Sequence, residues 1–116
     1  MSPALRPRQG DVWMLDLDPV TGHEQGRRRP CVIVSADPYN RYIRGMAIVV
    51  PLTSRDRGLP HHVRVSSSGS GSTSVSFART EDVRAVSHER FGRRMGFVEE
   101  SELADIQGRL RDFLDL

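Results

Sequence analysis

"RRMGFVEESELADIQGRLRDFL" (Arg93–Leu114) changes its period halfway, and that change sets the fold class. "RRMGFV" (Arg93–Val98) reads as a strand, whereas Leu103, Ile106, Leu110, Phe113 and Leu114 recur at spacings of three, four, three and one. Those intervals make one apolar stripe on a helix. Glu99, Glu100 and Glu102 crowd the start of that helix, where its dipole favours negative charge. Gly108 inside it costs about 1 kcal/mol relative to alanine, so the helix depends on packing.

Upstream of this helix the chain reads as short strands. "DVWMLDL" (Asp11–Leu17) alternates, with Trp13, Leu15 and Leu17 on one face. "CVIVS" (Cys31–Ser35) is a β-branched run of the buried kind, and "MAIVVPL" (Met46–Leu52) is closed by Pro51. "HVRVS" (His62–Ser66), "VSFA" (Val75–Ala78) and "EDVRAV" (Glu81–Val86) follow. "DPYNRYIRG" (Asp37–Gly45) is turn-rich with room for one helical turn, and "SSSGSGSTS" (Ser66–Ser74) reads as a flexible hairpin tip. Six or seven short strands and one helix predict a mainly β fold, a small bent barrel capped by a C-terminal helix.

A chain of 116 residues fits one domain, expected over residues 10–116, after a flexible lead-in at 1–9. "MAIVVPL" is too short for a membrane span, and the N-terminus lacks a signal-peptide core. With no export signal and Cys31 as the single cysteine, the expectation is a cytoplasmic protein with a buried, reduced thiol. All 17 basic residues are arginine, a bias that genomic base composition explains as readily as function does. Their distribution says more. Residues 1–98 carry 15 arginines against nine acids, and residues 99–116 carry two against six. A basic body points to a polyanion, either nucleic acid or an acidic peptide.

The densest charge lies in "GHEQGRRRP" (Gly22–Pro30), between two apolar strands. Glu24 and Arg29 flank a glycine that lets the loop fold back, and Pro30 restricts the entry to the next strand. A carboxylate beside a guanidinium suits phosphodiester chemistry. The first takes a proton, and the second presents a planar fork to phosphate. The adjacent His61 and His62 would point opposite ways on a strand, and no Cys or His partner has ligand spacing, so no metal site is expected.

"GDVWMLDLDPVTGHEQGRRRPCVIVS" (Gly10–Ser35) resembles the opening of the MazF/PemK (Kid) family, toxins of type II toxin–antitoxin systems. "VVPLTS" (Val49–Ser54), "SFARTEDVRAV" (Ser76–Val86) and "MGFVEESELADIQGRLRDFL" (Met95–Leu114) continue it in order. The resemblance implies an SH3-like barrel, a homodimer and no cofactor. It also implies sequence-selective, metal-independent cleavage of single-stranded RNA, chiefly mRNA, to 2′,3′-cyclic phosphate and 5′-hydroxyl ends. A small MazE-like antitoxin with an acidic, disordered part would neutralise it.

By position, Glu24, Arg29 and Thr53 match the family's core site. His23 and Arg79 match auxiliary residues of the Kid branch, and Gln25, Ser54 and Glu81 are further candidates for RNA contact or auxiliary catalysis. Glu81 replaces an aspartate and Asp82 a glutamine of that branch. Two other readings share the barrel. A CcdB-like gyrase poison needs a C-terminal Trp-Gly-Ile, whereas this chain ends "RDFLDL". A non-catalytic SH3-like module gives Glu24, Arg29 and Thr53 no reason to converge.

Overall fold

Alternation along Asp11–Asp16 (β1) sends Val12 to one side of the sheet and Trp13 and Leu15 to the other, and all three are buried. The computed structural model describes residues 6–18, 27–43, 45–66 and 68–116. β1 pairs antiparallel with Arg28–Ile33 (β2), which pairs with Met46–Thr53 (β3). Between them lies the short helix Asp37–Tyr42 (α1). His62–Val65 (β4) and Ser76–Arg79 (β5) form a hairpin whose second strand joins one end of β3. Arg84–Ser87 (β6) joins the other end of β3, and Phe91–Phe97 (β7) returns to β1. The path runs β4-β5-β3-β2-β1-β7, with β6 beside β3.

Both faces of this bent sheet are covered. Val12, Val32, Val50 and Leu52 pack with Val63, Val65, Ala78, Val98 and Ile106 on one side. Trp13, Leu15, Cys31, Ile33 and Val49 pack with Leu17, Ala47 and Val86 on the other. The helix Glu100–Leu114 (α2) closes the first core with Ile106, whose full burial contributes roughly 1.5–3 kcal/mol. Its start is held by a capping box in which Glu99 and Glu102 exchange side-chain and backbone hydrogen bonds. The Glu102 carboxylate also accepts from the Ser66 amide at 2.7 Å, tying the cap to the end of β4. Arg8 and Gln9 are fastened as well, their amides donating to Asp11 and Asp37. None of the described helices is long and apolar enough to cross a membrane.

The mainly β class with a C-terminal helix is the expected one, with four differences. First, the sheet does not close into a barrel by strand pairing, because β4 and β7 remain its two ends. Second, part of the serine-rich segment supplies a bridge instead of a free hairpin tip. Ser70 is fully buried, and the Phe97 amide donates to Gly69 O at 2.8 Å. Glycine permits that approach: a Cβ on Gly71 would lie 2.3 Å from Met95 O, and one on Gly96 would lie 1.8 Å from Gly69 O.

Third, "EDVRAV" is not one strand. A 3-10 turn at Thr80–Asp82 separates β5 from β6, facing the part of β3 between Val49 and Leu52. Buried Pro51, which has no amide hydrogen, lies at that break in the ladder. Fourth, the helical stripe outruns the sheet. Phe113 and Leu114 are 51% and 56% exposed, although the Phe113 ring still meets His61 edge-on at 5.5 Å.

Candidate active site

Paired residues in a sheet share a face, and so do alternate residues of one strand. Leu15 pairs with Arg29 and Trp13 with Cys31, so Arg29 stands on the face of the second core, at its rim. Cys31 pairs with Pro51, and continuing that register by two residues brings Arg29 level with Thr53, the last residue of β3. Thr53 pairs with Phe77 of β5, and Arg79, two residues on, pairs with His62 of β4. Arg29, Thr53, Arg79 and His62 therefore rise from four consecutive strands on one face.

The stems of the β1–β2 connector are pinned at the end of the β1–β2 ladder, next to Arg29. The Leu17 amide donates to Arg27 O at 2.9 Å, and the Arg27 amide donates to the Asp18 carboxylate at 2.8 Å. Arg90 adds hydrogen bonds to the carbonyls of Asp16 and Asp18. β2 begins earlier than expected, so Arg28 and Pro30 are strand residues opposite Asp16 and Met14, not loop residues. His23, Glu24 and Gln25 lie outside the described residues.

Arg29 is half-buried, and the Cys31 thiol donates to its carbonyl at 3.6 Å. Burial pushes that thiol up to about 12, against the pull of the Arg84 and Arg29 charges. It is therefore neutral at physiological pH and too inert to serve as a nucleophile. The Thr53 hydroxyl accepts from the Arg55 amide at 3.2 Å, which leaves its proton free for another acceptor. Ser54, beside it, is exposed.

The 3-10 turn gathers the remaining charges. Arg79 Nε lies 3.1 Å from Asp82 Oδ2 and 3.5 Å from Glu81 Oε2. The same Glu81 oxygen lies 3.0 Å from His62 Nε2 and 3.6 Å from His61 Nε2. The two histidines converge, contrary to the sequence expectation, because His61 lies in the turn before β4 and escapes strand alternation. That turn is held by the Thr80 hydroxyl donating to His61 O at 2.6 Å and by Arg109 Nε donating to Pro60 O at 2.9 Å.

Burial alone would raise the Glu81 carboxyl. The hydrogen bond with His62, its own backbone amide and the nearby His62 and Arg79 charges outweigh this and hold it below its ordinary value. Glu81 is thus a fixed anion and a weak proton acceptor. The ligand atoms of His61, His62 and Glu81 lie within 4.8 Å of one another, so a divalent ion has a conceivable seat. The Arg79 guanidinium, 3.5 Å from the shared oxygen, already supplies positive charge there and opposes a metal.

The sequence reading singled out Arg29, Thr53 and Arg79, which the register sets on one face, but gave no place there to His62. His62 acquires its role through the cross-strand pair with Arg79, which no spacing in the sequence encodes.

The chain is similar to known proteins over nearly its whole length. The family described as PemK-like, MazF-like toxin of type II toxin–antitoxin system matches residues 8–114. The chain is 38% identical over 114 residues to endoribonuclease MazF9 of Mycobacterium tuberculosis, covering 94% of this chain and 97% of that one. The crystal structure of MazF from Deinococcus radiodurans superposes with a TM-score of 0.86 at 27% identity, covering 97% and 99% of the two chains. A MazE–MazF crystal structure from the same organism gives 0.79 at 28% identity, covering 97% and 98%. The chain belongs to the PemK-like, MazF-like toxin family of type II toxin–antitoxin systems.

Proposed function

We propose that this family member is an endoribonuclease that cuts single-stranded RNA without a metal, through the ribose 2′-hydroxyl. The reading rests above all on the shared face of Arg29, Thr53 and Arg79 beside the pinned ends of the connector that carries Glu24. The MazF9 relative, matched over nearly its whole length, is named as an endoribonuclease.

In this reading Glu24 takes the proton from the 2′-hydroxyl, and the oxygen attacks the adjacent phosphorus. Glu81 is the poorer base, since its partners stabilise the ionised form. Arg29 meets the charge growing on the phosphoryl oxygens with a two-pronged contact, and Thr53 adds a hydroxyl donor. Arg79, held by Asp82 and Glu81, stays charged and acts by charge alone. His23 returns a proton to the leaving 5′-oxygen. Gln25 and Ser54 contact the RNA. The products carry 2′,3′-cyclic phosphate and 5′-hydroxyl ends.

The protein acts as a homodimer, and an acidic MazE-like antitoxin competes for the basic face. The MazE–MazF structure of the Deinococcus relative supports such a partner. Cleavage of a long RNA should persist in EDTA and give 5′-hydroxyl ends, read by whether the fragments accept phosphate from polynucleotide kinase without prior phosphatase. Dependence on added Mg²⁺, or 5′-phosphate ends, contradicts the mechanism.

A further inference from the structure

His61 and His62 converge on Glu81 with the donor set of a zinc site, two imidazoles and a carboxylate. Three such ligands around a tetrahedral ion, each about 2.0–2.2 Å from it, stand roughly 3.4 Å from one another. Glu81 Oε2 lies 3.0 Å from His62 Nε2 and 3.6 Å from His61 Nε2, which brackets that spacing. All three ligand atoms lie within 4.8 Å of one another.

The ligands are reachable and braced. The His61 and Glu81 side chains are 28% and 31% exposed, so an ion can enter from solvent, while the His62 side chain is buried behind them. His62 is fixed in β4 opposite Arg79. The turn that carries His61 is tied to Thr80 and Arg109, and its ring meets those of His62 and Phe113 edge-on at 4.9 and 5.5 Å. Imidazole nitrogens suit zinc-class ions, whereas Mg²⁺ and Ca²⁺ take oxygen ligands.

Arg79 already uses the same carboxylate. Its Nε lies 3.5 Å from Glu81 Oε2 and 3.1 Å from Asp82 Oδ2. An ion seated on Glu81 takes one of these two anchors and repels the guanidinium, so ion and arginine are alternative partners of one oxygen.

We propose that His61, His62 and Glu81 form an inhibitory site for a zinc-class transition-metal ion, which competes with Arg79 for Glu81. Cleavage itself uses no metal; the ion acts by unseating an arginine of the active face. The inhibition rests on the endoribonuclease reading, and the ion site does not.

The test begins with protein stripped by EDTA, exchanged into metal-free buffer and titrated calorimetrically with ZnCl₂. One ion should bind per chain, and Mg²⁺ should give no binding heat. His61→Ala should weaken zinc binding at least about 10-fold, the least that loss of even an outer-shell partner costs. Arg79→Met should strengthen it, because a repelling charge is gone. In metal-free buffer His61→Ala should cut RNA at the wild-type rate. Saturating zinc should slow the wild type and spare the variant, whereas zinc acting through the RNA would slow both. Thermal melting checks the fold, and His61→Phe, which keeps a ring against Phe113 but offers no ligand, replaces an alanine variant that does not fold. Absence of zinc binding, binding that loss of His61 leaves unchanged, full wild-type activity at saturating zinc, or equal inhibition of wild type and variant overturns the proposal. If the wild type cuts no RNA in metal-free buffer, the endoribonuclease reading fails, while calorimetry still decides the ion site.

Discussion

Arg29→Lys lowers the single-turnover rate of RNA cleavage by on the order of 10²–10³, equivalent to about 2.7–4 kcal/mol of transition-state stabilisation. Lysine keeps the charge but not the planar fork, so the loss isolates the two-pronged contact with the phosphoryl oxygens. Arg29 is half-buried at the rim of the second core and is held in the β1–β2 ladder opposite Leu15, which fixes its direction. Arg27 and Arg28 are exposed and serve as internal controls. Lysine at either should cost less than about 3-fold, because only long-range attraction is at stake there. Melting temperatures of all three variants should match the wild type. Equal, small losses across the three would show that the cluster merely attracts RNA.

Gly96→Ala destabilises the fold by about 2–3 kcal/mol, a large effect for one added methyl group. The new Cβ would lie 1.8 Å from Gly69 O and 2.8 Å from the Ser70 carbonyl carbon. Both obstacles are backbone, so no side chain can swing aside. The turn at Ser68–Ser70 must leave β7, giving up the hydrogen bond from Phe97 to Gly69 and exposing Ser70. Equilibrium urea denaturation measures the loss. Gly108→Ala is the control: it meets nothing within 4 Å and should stabilise α2 by up to about 1 kcal/mol. A Gly96→Ala variant as stable as the wild type would mean that the serine-rich bridge does not hold the sheet's open side.

These two sites mark where the sequence is legible and where it is not. The strand alternation of Val12–Leu15 and the helical stripe through Ile106 are local signals, and they translate directly into buried faces. The Glu99–Glu102 capping box is equally local. The role of Gly69, Gly71 and Gly96 is a contact between segments about 25 residues apart, so the same composition that suggests a flexible tip also permits a tight backbone approach. The turn at Thr80–Asp82 hides for a related reason. Val83, Ala85 and Val86 look strand-like, and the break comes from matching two strands to one partner around Pro51.

At the site, pairing register sets Arg29 and Thr53 on one face of the sheet, which composition does not encode. His61 and His62 mislead because alternation applies only within a strand, and the strand begins at His62.

The central claim, attack by the ribose 2′-hydroxyl, is tested most directly by one substituted oligonucleotide. Its mapped cleavage site carries a single 2′-deoxy nucleotide on the 5′ side of the scissile phosphate, with every other residue ribose. Binding measured by fluorescence anisotropy should stay within about 3-fold of the unmodified RNA, since one hydroxyl is lost and every phosphate is kept. Cleavage at that position should be undetectable even at long incubation. Cleavage there at a rate near that of the unmodified RNA would show that water or another group is the nucleophile, and the mechanism built on Glu24, Arg29 and Thr53 would fall.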